Sequence, residues 1–175
     1  MNKFQKLVFV MLAVLPLTSQ ATIHVSLEEM QEIMFPNQKL VLVPVVLSDA
    51  TREKMKEAST VREPFKADRV WRNDKGEWFV LDEVVGKHEM IKYAVAINVD
   101  GSVKQVRVMD YVESYGYEVA ENKWLQQFVG KTGSSTIKLN KDIDNISGAT
   151  LSSKHISDGV KRVMTLYSLV LKQYK

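Results

Sequence analysis

Near the C-terminus of this 175-residue chain, Ile156, Val160, Val163, Met164, Tyr167, Val170 and Leu171 recur three and four positions apart. A period of 3.6 residues sets them in one stripe along a helix, and such a stripe is stable only when another element covers it. The covering surface lies upstream. Arg69 to Arg72, Trp78 to Val85, Ile91 to Val99 and Val103 to Val112 read as strands, with turns at Asn73-Asp74-Lys75-Gly76 and Asp100-Gly101. The Asp-Gly pair is the strongest hairpin signal in the chain. Tyr93, Val95, Ile97 and Val99 alternate with Lys92, Ala94, Ala96 and Asn98, so one face of the sheet packs on helices. The expectation is one α+β domain, an antiparallel sheet packed against helices.

The flanking segments fit this plan. Ser26-Leu27-Glu28-Glu29 is a capping-box pattern that opens a short docking helix, and Pro36 stops it. Residues 39–47, KLVLVPVVL, read as a buried strand in which Pro44 marks an edge or a bulge. Residues 49–59 predict a mostly solvated helix, and Glu121 to Val129 a short helix with Trp124, Leu125 and Phe128 on one side. The opening MNKFQKLVFVMLAVLPLTSQA combines basic Lys3 and Lys6, an apolar run too short to span a bilayer, and small residues at Ser19 and Ala21. It predicts a signal peptide over 1–21, cleaved after Ala21, and a periplasmic mature domain over 22–175.

Composition excludes several functions. Loss of Lys3 and Lys6 lowers the formal charge by two, from +3 to +1, and no clustered Lys/Arg footprint of a nucleic-acid binder is present. The absence of cysteine removes disulfides, thiol chemistry, iron–sulfur clusters and c-type haem attachment, so any electron transfer must ride on an organic cofactor or a non-thiolate metal. Gly130-Lys131-Thr132 lacks the first glycine of a phosphate-binding loop, the three histidines lack metal-ligand spacing, and no serine sits in a nucleophile elbow.

One stretch stands apart. In DNISGATLSS, residues 144–153, Gly148 permits a tight turn, Ala149 keeps it uncrowded, and Ser152 or Ser153 can cap the helix that carries the apolar stripe. The residues alone allow a well-capped helix start. Yet Ser147, Gly148, Ala149 and Thr150 are more than a cap requires, and a helix N-terminus favours a phosphate by roughly 1–2 kcal/mol before side chains contribute.

Asp144-Asn145-Ile146-Ser147-Gly148-Ala149-Thr150 matches D-x-x-[ST]-G-A-[ST], and here the sequence resembles the FMN-binding domain of the C subunit of sodium-translocating NADH:quinone reductases and the G subunit of Rnf complexes. The stretch Glu113-Ser114-Tyr115-Gly116 resembles the family's E-T-P-G segment, with Tyr115 in place of proline. The likeness covers about residues 80–170 and is closest to the small exported single-domain branch. It implies FMN held through a phosphoester at Thr150, installed by a Mg²⁺-dependent FAD:protein FMN transferase that releases AMP. Ser147, Ser152, Ser153 and the amides around Gly148 would satisfy the phosphate, with Lys131 as a charge partner. Glu113, Ser114, Tyr115, Gly116, Tyr117 and His88 would lie near the flavin ring. The implied function is electron transfer with a membrane-associated or periplasmic redox partner. A reductase acting alone, and a phosphate-ligand module without redox activity, are the alternatives.

Overall fold

The computed structural model describes residues 22–112 and 116–174; the predicted signal peptide and the segment Glu113–Tyr115 lie outside the described residues. The expected α+β architecture is present. Six strands form one antiparallel sheet: β1 (Ile23–His24), β2 (Val41–Leu42), β3 (Val70–Arg72), β4 (Trp78–Val85), β5 (Met90–Ile97) and β6 (Val103–Tyr111), in the order β1-β6-β5-β4-β3-β2. The helices are α1 (Leu27–Met34), α2 (Asp49–Ala58), α3 (Asn122–Leu125) and α4 (Thr150–Leu169). Short 3₁₀ turns lie on either side of α3, so the helix expected over 121–129 is broken into pieces.

Strands β4, β5 and β6 form the centre, and both of their faces are covered. Val80, Val84, Tyr93, Val95 and Val106 join Ile156, Val160, Val163 and Met164 of α4 in the main core. On the opposite face Phe79, Ala94, Ala96 and Met109 meet Met30, Met34 and Phe35 at α1. The small Ala94 and Ala96, which alternation had placed on the face away from the stripe, make room for that second helix. As the capping-box pattern predicts, the Ser26 hydroxyl accepts the Glu29 amide at the start of α1.

Two expectations need correction. The segment 39–47 is not a buried strand: only Val41–Leu42 pairs, with β3 at the sheet edge, and both side chains are half exposed. Pro44 has no N–H to extend the ladder, and Val45 and Leu47 reach the core from irregular chain. At the other end of the molecule α4 stops at Leu169, and Leu171 completes the stripe from a 3₁₀ turn, fully buried.

The contact between α4 and the sheet is partly ionic. Arg162 and Asp82 are both almost fully buried, with Nη2 at 2.7 and 2.8 Å from the two carboxylate oxygens and Nε at 3.0 Å. Tyr93 donates its hydroxyl to the same carboxylate at 2.6 Å, and Arg162 also donates to the Glu63 and Glu83 carbonyls. Burial pushes the Asp82 carboxyl up, against the pull of Arg162 and of the Tyr93 hydroxyl. Gly159 lets the helix approach: a Cβ there would lie 2.3 Å from the Tyr93 hydroxyl.

Removing one partner leaves a buried charge uncompensated, whereas replacing both with apolar residues does not. Arg162→Met should therefore destabilise the domain by about 3–5 kcal/mol, while Asp82→Leu combined with Arg162→Met should recover most of that loss. Urea denaturation of the two single variants and the double variant checks this.

Candidate functional site

Helix α4 runs antiparallel to β4. His155 Nδ1 lies 2.6 Å from the Val85 carbonyl at the end of β4, while a Cβ on Gly101, in the β5–β6 turn, would meet Tyr167 near the far end of the helix. The N-terminus of α4, the β4–β5 turn at Gly86–Glu89 and the end of β6 therefore share one end of the domain. That end carries most of the residues singled out from the sequence.

The turn into α4 is tight. The Ala149 amide donates to the Ile146 carbonyl at 3.0 Å, placing Ser147 and Gly148 at the corner, and Gly148 takes φ +84°. A positive φ at the third position of a turn is what glycine supplies without steric cost. A Cβ at Gly148 would meet nothing within 4 Å, so the corner is open. Thr150 begins the helix and is exposed, as are Ser147 and Gly148.

The helix has no side-chain cap, contrary to the expectation for Ser152 or Ser153. Both serines lie inside its first turn and are buried. Ser153 donates its amide at 2.9 Å and its hydroxyl at 2.9 Å to the Ala149 carbonyl. The first helical hydrogen bond thus closes at Ser153, and the amides of Thr150, Leu151 and Ser152 precede it. Helices α1 and α2, by contrast, have serine caps at Ser26 and Ser48 and acidic residues in their first turns. The longest helix leaves the positive end of its dipole uncapped and without a nearby acid on its first turn.

The chain before the turn is held by residues that carried no functional signal in the sequence. Trp124 Nε1 donates to the Asp144 carbonyl at 2.7 Å, and Gln127 Oε1 accepts the Asp144 amide at 2.8 Å. Asn145 Nδ2 then donates to Thr150 Oγ1 at 3.1 Å, which fixes the hydroxyl oxygen and leaves its proton available for donation. Asn145 occupies an unspecified position of the motif, and Trp124 was legible only as an apolar residue. The Asp144 side chain is exposed beside an open groove of about 430 Å³ that also includes Glu118, Glu121, Trp124 and Asn145.

The two motif segments meet. Gly116, at φ +80°, packs so closely on the turn that a Cβ would lie 2.3 Å from the Ala149 Cβ and 3.2 Å from the Tyr111 hydroxyl. Tyr117 follows with its ring against Tyr111 at 6.4 Å. Of the remaining ring candidates, His88 lies exposed in the β4–β5 turn at this end, and Glu113, Ser114 and Tyr115 fall outside the described residues. Met90, Val112, Tyr117 and Leu151 keep substantial apolar surface exposed here.

Lys131 is not brought to the turn. Its carbonyl accepts the Val103 amide at the start of β6, and Lys161 Nζ holds the same loop through the Gly133 and Ser135 carbonyls along the second half of α4. Its ammonium pairs with Asp142 at 3.0 Å. Asp142 also accepts the amides of Ile137 and Lys138. Burial opposes the charge on this carboxylate, but the Lys138 amide, Lys131 and the Ile137 amide together hold its pKa below the ordinary value.

An open glycine corner leading into an uncapped helix, with two exposed hydroxyls, is an arrangement suited to an anionic phosphate. Residues 86–165 match the family model of the FMN-binding domain, and the match supports a flavin-binding protein with FMN as its cofactor. No curated protein matches the chain. The donor set at the turn fits the phosphate end of FMN, and the neighbouring apolar side chains fit a planar ring.

Gly116→Ala should destabilise more than Gly148→Ala. Both bear the left-handed penalty of about 1–2 kcal/mol, but only the first also creates a clash, worth about 1–3 kcal/mol more. Thermal melts of the two variants test the order. The depressed pKa of Asp142 gives stability that is fully present above the ordinary aspartate value of about 4 and is lost below it, as the pH falls through the lowered folded-state pKa. Asp142→Asn should melt below wild type at neutral pH and converge with it in acid, as read from melting temperature against pH.

Proposed function

We propose that this chain is an exported electron-transfer flavoprotein whose FMN is esterified through its phosphate to Thr150. The observation that carries the reading is the exposed Thr150 hydroxyl, oriented by Asn145 on the uncapped first turn of α4. Bound FMN supplies one- and two-electron chemistry, which is the cofactor's own. The chain contributes position. The amides of Thr150, Leu151 and Ser152 and the Ser147 hydroxyl donate toward the phosphate. The buried pair of Ser152 and Ser153 holds the first turn against the core beneath it. Met90, Val112, Tyr117 and Leu151 offer an apolar surface that excludes water from one side of a ring.

In attachment the chain is a substrate. Thr150 Oγ1 forms a bond to the FMN phosphorus of FAD, the pyrophosphate bond to AMP breaks, and the hydroxyl proton leaves to a base of the FAD:protein FMN transferase. Threonine is a weak nucleophile, so activation rests with that enzyme and its Mg²⁺. The N-terminal segment belongs to the same reading: residues 1–21 direct export and are removed after Ala21, and the mature domain meets a membrane-associated or periplasmic redox partner. Covalent attachment keeps the cofactor where free FMN is scarce.

Intact mass under denaturing conditions, after co-expression with the transferase, tests the assignment. Wild type and Thr150→Ser should carry the FMN adduct, and Thr150→Val should not. An adduct on Thr150→Val, or none on wild type beside an active transferase, would overturn it.

A further inference from the structure

A second site lies outside the flavin-binding end. Helix α2 packs on α4, and the chain that follows α2 closes a pocket of about 230 Å³. Leu47, Met55, Val61, Pro64 and Phe65 make its walls apolar, and Arg162, already neutralised by Asp82, lies among the lining residues. An engineered apolar cavity of about 150 Å³ accepts benzene. The pocket therefore has room for one ring, or a chain of similar bulk, with a small polar substituent.

Charge decides what that substituent is. Arg52, Lys56 and Arg62 also line the pocket, and Glu63 is the one acid among its lining residues. Lys56 is engaged by Glu53 at 2.7 Å. Arg52 and Arg62 are exposed, and among the described residues neither guanidinium has an ion-pair or hydrogen-bond partner. A guanidinium presents paired donors that match a carboxylate, and it holds that group best beside an apolar surface that limits water. A neutral apolar molecule would leave both arginines unused, and a multiply charged anion would leave the walls uncovered.

We propose that this pocket binds a small apolar carboxylate, with its ring or chain between Met55, Val61 and Phe65 and its carboxylate on Arg52 and Arg62. The site is separate from the flavin chemistry. Of the lining residues only Arg162 falls within the matched domain segment, and the side chains assigned to the ring and the carboxylate all precede residue 86. It stands or falls independently of Thr150.

The test is a titration of the purified protein, labelled at its methionine, leucine and valine methyls, with sodium phenylacetate and separately with neutral phenylacetamide. Saturable shifts centred on Met55, Leu47 and Val61 are expected with phenylacetate, with a midpoint at or below about 1 mM. The amide should bind at least about 10-fold more weakly. R52Q combined with R62Q should weaken phenylacetate binding to a similar degree without changing the melting temperature, because neither side chain supports the fold. Absent or non-saturating shifts, shifts centred elsewhere, or equal binding by the amide or by the double variant would overturn the proposal.

Discussion

The buried pair of Asp82 and Arg162 is the contact on which the rest of the domain depends. It ties the middle of the longest helix to a central strand through three hydrogen bonds to one carboxylate, and Tyr93 from the next strand completes the network. Apolar contacts could be satisfied by several rotations of α4 over the sheet, because a stripe of Ile, Val and Met is tolerant in register. A guanidinium buried against a carboxylate is not tolerant, since any displacement strands two charges away from water. Gly159 sits three residues earlier, at the closest approach to Tyr93. The geometry of α4 is therefore set at its centre, and its N-terminus is delivered to a defined place at the end of the sheet.

That delivery builds the site. The helix brings Thr150 to the end of the sheet where β4 and β6 finish and β5 begins, and Gly116 arrives from β6 to pack on Ala149. The turn itself is then held from a second direction, by Trp124 and Gln127 through the backbone of Asp144. None of these contacts uses the hydroxyls or amides that a phosphate needs. The supporting bonds go to carbonyls and to one amide before the turn, and the buried Ser153 donates back to the Ala149 carbonyl, while Ser147, Thr150 and Leu151 stay exposed. An uncapped helix end carries a cost in stability, which a phosphate bound there would offset.

Much of this was legible in the chain. The α4 stripe, the Asp100-Gly101 hairpin and the Ser26 cap follow from local periodicity and turn chemistry, and the structure has them where expected. The SGAT turn was legible for the same reason, since Gly148 adopts the conformation that only glycine takes readily. The failures are equally physical. Residues 39–47 have the composition of a buried strand, but a proline without an N–H leaves only two residues paired at an exposed edge. Ser152 and Ser153 look like caps from composition, yet the helix begins earlier and turns them inward. Lys131 carries the right charge for a phosphate, but its loop runs along the opposite half of α4.

The amino-acid sequence by itself determined most of the elements, the antiparallel pairing and the glycine conformation of one turn, because periodicity, turn residues and a short motif act over a few neighbouring positions. Only the tertiary structure decided which polar groups face outward at that turn and which residues hold it. Asn145, Trp124 and Gln127 have no local mark of their role, and Asp82 and Arg162 are eighty residues apart. Their partnership exists only once the helix lies across the sheet, where burial removes the water that would otherwise satisfy each charge separately.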